Sequence, residues 1–220
     1  MLRRLRKIPE ESKDIATRYM RLLLMTFELI TGLITMAFVT SVTPGPNNLM
    51  LMTSGANFGL RRTIPHWLGV SVGFVVLASF AGSGAAKVLE TNPTLQHVMR
   101  IVCVGYLLWL AWKIATSSGH SDQSGRSSPL SFLQAAAFQW VNPKVWAMAL
   151  AAISIYAPSG GIAQVVLVSC IFGSVNFPAV GLWAVAGTKI NAIFRNPLHL
   201  RFFNVAMAVL LVLSLAPLFL

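Results

Sequence analysis

Six residues inside the first apolar stretch, Thr43-Pro44-Gly45-Pro46-Asn47-Asn48, limit what this chain can fold into more than any other feature. Leu29 to Val42 carries no charge, and Leu49 to Met52 resumes the apolar run directly after the motif. A proline lacks the N–H of a helical bond and clashes with the preceding turn, so two prolines around a glycine end a helix. Gly45 adds access to backbone angles that other residues avoid. Carbonyls on one side of the break and N–H groups on the other lose their helical partners. In a bilayer each such group costs several kcal/mol unless protein, water or a bound solute satisfies it. A helix broken in this way is suited to holding a small polar solute.

The bilayer setting follows from composition. Of the 220 residues, 55% are hydrophobic and 10% are charged, against roughly 25% charged in soluble domains. The apolar residues fall in blocks, Leu68 to Ala86, Ile101 to Ala115, Leu130 to Ala157, Val165 to Ala186 and Phe202 to Leu220. Each approaches the roughly 20 residues that cross a membrane. With Phe27 to Asn57 around the proline motif, the expectation is an all-α integral membrane protein with six transmembrane helices. The formal charge of +11 does not point to nucleic acid. Seven basic residues lie in the tail (Arg3, Arg4, Arg6, Lys7, Lys13, Arg18 and Arg21), and most others flank apolar blocks, as orientation signals do. Cys103 and Cys170 are far apart, form no C-x-x-C, and are read as buried packing residues.

Residues 1–24 form a basic tail, read either as an interfacial helix on anionic lipid or as sequence upstream of a start at Met20 or Met25. Residues 116–129 form the one long hydrophilic linker, Ser-rich and solvated in composition. It separates residues 25–115 from residues 130–220. The second half holds a second break, Gln139-Trp140-Val141-Asn142-Pro143-Lys144, with about a dozen residues on either side, or about 18 Å of helix. That puts Lys144 near the midplane, where a lysine is costly and by default functional; the plainer reading is that it snorkels to an interface. Each half runs from a proline-broken block to a Gly-rich block to a plain or aromatic one. Pro44 and Pro143 lie about a hundred residues apart, as do Gly73 and Gly173. Three crossings per half turn the second half upside down. The expected architecture is therefore two inverted three-helix repeats with broken first and fourth helices, and a binding site between them at the midplane. The glycines at 69 and 73 read as helix-packing positions, and Phe202 to Leu220 as a plain apolar span.

Pro44-Gly45-Pro46-Asn47-Asn48, the run Gly55 to Arg62, Gly69-Val70-Ser71-Val72-Gly73 and Asn142-Pro143-Lys144 resemble the lysine-exporter (LysE/RhtB) family from about Met25 to Leu220. That resemblance implies a multi-pass protein of the bacterial inner membrane that exports amino acids. It makes Pro44, Gly45, Pro46, Asn47, Asn48, Asn142, Pro143 and Lys144 a candidate substrate path, to which the neighbouring amides Gln139 and Asn176 are added. The substrate carboxylate is expected at the helix N-terminus near Asn47. Its ammonium is expected at the carbonyls of Val42 and Thr43 or at the amides, with Lys144 as added positive charge or an exchangeable internal cation. No acidic residue lies within a span, Glu28 being nearest, which favours a neutral amino acid.

No phosphate-binding loop occurs, so transport is expected to be gradient-driven, with no cofactor and no metal. His66, His97, His120 and His199 read as solvated residues at span ends. An embedded enzyme would need a clustered catalytic set, and none is apparent; a passive channel or an exporter of another polar solute stays open, as does assembly into a homo-oligomer. Counting Lys and Arg around loops one, three and five places those loops inside and both termini in the periplasm if the tail is set aside.

Overall fold

The structure, a computed structural model, describes residues 27–85, 91–117, 128–158, 161–193 and 197–216, and every regular element among them is helical. The elements are α1 (Phe27–Val42), α2 (Pro46–Phe80, continued by a π-helical turn at Ala81–Ala85) and α3 (Pro93–Ala115). After the linker come α4 (Phe132–Phe138) with a 3₁₀ turn at Gln139–Val141, α5 (Pro143–Tyr156), α6 (Ile162–Ile193) and α7 (Pro197–Leu213). Three stretches, Pro46–Gly84, Pro93–Ala115 and Ile162–Ile190, are long and apolar enough to cross a membrane, and α1, α5 and α7 are shorter apolar helices. The tail 1–24, linker residues 118–127 with His120 and Arg126, and Lys87, Glu90 and Arg195 lie outside the described residues.

α2 is not one rod. At Gly59 the backbone takes φ 76, ψ 167, a region open in practice only to glycine. Ser54 Oγ and Thr63 Oγ1, nine positions apart, come within 3.0 Å, whereas a straight helix would hold them about 13 Å apart. The chain therefore reverses, and residues 46–58 and 60–80 form two arms of a helical hairpin. A Cβ at Gly59 would meet nothing within 4 Å, so only backbone strain opposes a side chain there. Gly59→Ala should destabilise the protein by about 1–3 kcal/mol, read as a melting temperature several degrees lower in detergent.

Two apolar cores hold the bundle. Leu51, Leu107, Leu110, Phe138 and Leu211 unite the first arm of α2 with α3, α4 and α7. Ala37, Phe74, Val145, Ala149 and Phe172 unite α1, the second arm, α5 and α6, with the Phe74 and Phe172 rings stacked at 4.4 Å. Small residues bring backbones together. Gly55 lies against the carbonyl of Ala184, Gly187 against that of Met52, and Gly69 against that of Phe132. The outward faces of α3, α6 and α7 remain apolar, with Ile101, Leu167 and Phe202 exposed.

Three expectations need correction. Cys103 is buried but Cys170 is exposed, because it falls on the outer face of α6 with Val166 and Leu167. The last apolar block is not plain, since Asn204 on α7 is wholly buried. His66 is buried too: it belongs to the second arm of α2, about two turns past the reversal, and is not solvated.

Candidate substrate site

The two breaks meet. α1 ends its backbone bonding with Thr43 N–H to Val39 O at 3.2 Å, and α2 begins with Leu49 N–H to Gly45 O at 3.0 Å. The carbonyls freed between them are taken up by side chains. Asn48 Nδ2 donates to Ser41 O (2.7 Å) and Thr43 O (2.8 Å), and Trp183 Nε1 on α6 donates to Val42 O (3.1 Å). From the second break, the Lys144 ammonium donates to Thr43 O (2.7 Å), Thr43 Oγ1 (2.8 Å) and Pro44 O (3.3 Å). The carbonyls of Val42 and Thr43 are thus not open to a substrate ammonium in this conformation. A carbonyl left unpaired in an apolar span is costly, and the protein's own donors fill the place. The lysine also sits where the dipole of α1 is negative.

Gly45 is needed for a reason other than the one its sequence suggests. Its φ of 177 and ψ of 176 describe extended backbone that any residue adopts. A Cβ there, however, would lie 2.9 Å from Lys144 Cδ and 3.2 Å from Nζ. The glycine makes room for the lysine. Pro46 opens α2 at the position where a missing N–H costs nothing. The N–H groups of Asn47 and Asn48 precede the first helical bond and stand at the positive end of the dipole.

On the other side, α4 gives way to the 3₁₀ turn and then to Asn142, extended in backbone, whose side-chain Oδ1 caps α5 by accepting Lys144 N–H at 3.2 Å. Pro143 is the first residue of that helix. Gln139 and Asn47 exchange amide bonds across the breaks, Asn47 Nδ2 to Gln139 Oε1 at 2.8 Å and Gln139 Nε2 to Asn47 Oδ1 at 3.2 Å. Asn176 on α6 donates to Ser41 Oγ (2.9 Å) and accepts from Ser71 Oγ (3.3 Å). Asn142 Nδ2 is buried with no partner. Asn47, Asn48, Gln139, Asn142, Lys144 and Asn176 therefore line one cavity, of about 20 Å³. Pro44, Gly45, Pro46 and Pro143 shape its backbone and do not line it. One water needs about 10–15 Å³, so the cavity as it stands has room for a water and not for an amino acid.

Sequence reading missed Ser41, Trp183 and a second polar cluster. In that cluster Asn57 and Asn204 exchange amide bonds at 2.8 and 2.9 Å, and Ser117 joins through its Oγ to Asn57 Oδ1 (3.3 Å) and its carbonyl to Asn204 Nδ2 (3.0 Å). Asn57 carried the only signal, as a polar residue in an apolar arm.

The family model described as LysE type translocator matches residues 38–219. A cysteine/O-acetylserine efflux protein of Salmonella typhimurium is 31% identical over 190 residues, covering 86% of this chain and 96% of that protein. The cysteine/O-acetylserine efflux protein of Escherichia coli strain K12 is 30% identical over the same shares. No solved structure matches the chain.

Proposed function

The chain belongs to the LysE type translocator family, and from that premise we propose that it exports small neutral amino acids across the bacterial inner membrane through the cavity between the two breaks. It is a transporter and not an enzyme. Cysteine and O-acetylserine, for which the relatives are named, are the first substrates to test. Both lack a second positive charge. Glu28, at the outer end of α1, is the only acidic residue among those described, so no carboxylate is at hand for a cationic side chain.

One observation carries this reading: the Lys144 ammonium rests on three oxygens of Thr43 and Pro44. An amino acid's ammonium offers the same three donors. In the proposed cycle it replaces Lys144 at those oxygens, while the substrate carboxylate takes the free N–H groups of Asn47 and Asn48. The Asn47–Gln139 pair opens to admit it. Asn142 Nδ2, unpartnered in the closed cavity, gains an acceptor. Lys144 is then an internal cation exchanged for the solute's own. The architecture we infer has six crossings in two inverted repeats: α1 with the first arm of α2, the second arm, α3, then α4 with α5, α6 and α7. Loops one, three and five lie on the cytoplasmic side. A gradient drives the cycle, since no nucleotide-binding loop occurs.

Cells loaded with dipeptides and expressing the protein should release the corresponding small neutral amino acid faster than cells without it. In proteoliposomes, unlabelled amino acid on the far side should accelerate uptake of the labelled one. Release of no amino acid would remove the function, and uptake indifferent to the far side would make it a channel.

A further inference from the structure

The cavity between the breaks is not the one polar chamber among the described residues. A space of about 200 Å³, ten times larger, opens between the α2 hairpin, the end of α3 and the residues that lead into α4. Thr53, Ser54 and His66 line it from α2, and Lys113 and Thr116 from α3, while Met50, Leu110 and Ile114 supply an apolar wall. It begins at Met50, less than one helical turn beyond Asn48, so the first arm of α2 runs from one space to the other.

Two groups in the chamber make no hydrogen bond or ion pair among the described residues. His66 is 1% exposed, and neither ring nitrogen makes a hydrogen bond. An orphaned buried polar group calls for an explanation, an absent ligand among them. Its neighbours are occupied with each other: Thr63 Oγ1 is within 3.0 Å of Ser54 Oγ and 2.9 Å of Gly59 O. Lys113 is half-buried, its ammonium 5.4 Å from the Trp109 ring centre, with no ion pair among the described residues. A cation at one place and an imidazole at another, with apolar surface between, fit the two ends of a zwitterion. A carboxylate answers Lys113. A neutral imidazole has one acceptor and one donor nitrogen, and its acceptor can take a bond from an ammonium.

We propose that this chamber is a second binding site, an antechamber that holds a small neutral amino acid between Lys113 and His66 before or after it occupies the cavity between the breaks. The proposal rests on the export reading for its ligand class, but not on Lys144.

Thr116 lines the chamber, is exposed, and bonds only to carbonyls of its own helix, which makes it a reporter position. In full-length protein carrying Cys103→Ser, Cys170→Ser and Thr116→Cys, millimolar L-serine should slow maleimide labelling at least threefold. His66→Leu and Lys113→Met should each abolish that protection. His66→Gln, which keeps a donor and an acceptor, should restore much of it, and Lys144→Met should leave it intact. If His66→Leu does not fold, Lys113→Met decides. Protection lost in Lys144→Met and unchanged in His66→Leu and Lys113→Met would overturn the proposal, placing the ligand at the breaks alone. No protection in a parent that still exports would overturn it and leave the export reading standing. Protection without export of any amino acid would uphold the chamber and remove the export reading.

Discussion

Replacing Pro44, Gly45 and Pro46 together with alanine is expected to lower export at least tenfold while the protein still reaches the membrane at its normal level. Alanine favours the helix that the two prolines and the glycine interrupt. A continuous helix through residues 43–47 would consume the carbonyls that Lys144 and Asn48 now engage. It would also consume the N–H groups of Asn47 and Asn48, which the proposed cycle assigns to the substrate carboxylate. The added Cβ at position 45 meets Lys144 Cδ at 2.9 Å and helps to expel the lysine. Gly45→Ala alone should do less, because the lysine stem is flexible and can yield. Efflux from dipeptide-loaded cells, normalised to the protein in the membrane fraction, measures both variants. Normal efflux by the triple variant would move the site elsewhere.

Lys144→Met should reduce maximal export about tenfold or more, with a particular signature. Methionine keeps an apolar stem of similar length and removes the three donors. If the substrate's ammonium replaces the lysine at Thr43 and Pro44, the variant has lost an internal competitor. Its KM should then fall together with its maximal rate, the pattern of a change that eases ground-state binding but not turnover. A lysine that only pins the two breaks together would give a lower melting temperature and an unchanged KM. Transport kinetics in proteoliposomes, set beside a thermal melt, separate the two.

Much of this site was legible in the sequence, because breaking a helix in an apolar run is a local act of proline chemistry. Pro44, Pro46 and Pro143 mark the ends of helices without reference to anything distant, and a lysine beside one of them stands out. The pairing of the breaks was not legible. That Lys144 would satisfy Thr43 and Pro44, or that Asn47 would face Gln139, depends on how α5 docks against α1, and no periodicity within either segment encodes it. Gly45 was recognised for the wrong reason, since its backbone is ordinary and the demand on it comes from a side chain about a hundred residues away. His66 was misjudged because Arg61, Arg62 and Pro65 surround it with the marks of a loop. The reversal at Gly59 occupies a single residue, so helix resumes at once and buries the imidazole. Asn204 was passed over as one polar residue in an apolar helix, because its partner Asn57 lies 147 positions away and nothing local marks the pair.

The backbone contacts at Gly55 and Gly187 also determine which parts can shift during a transport cycle. The first arm of α2 rests on α6 at two places where even a methyl group would collide with a carbonyl. Such a seam cannot slide by a fraction of a turn, because any displacement drives backbone into backbone. These two segments should behave as one stiff strut. α1 and α5 pack on α6 through the apolar core of Ala37, Val145, Ala149 and Phe172, and the chain passes through the breaks at Gly45 and Asn142. Any relative motion of the two breaks is expected at those short connections, beside the oxygens that hold the lysine. A solute bound there, as in the proposed cycle, would press on the joint itself and not on the strut.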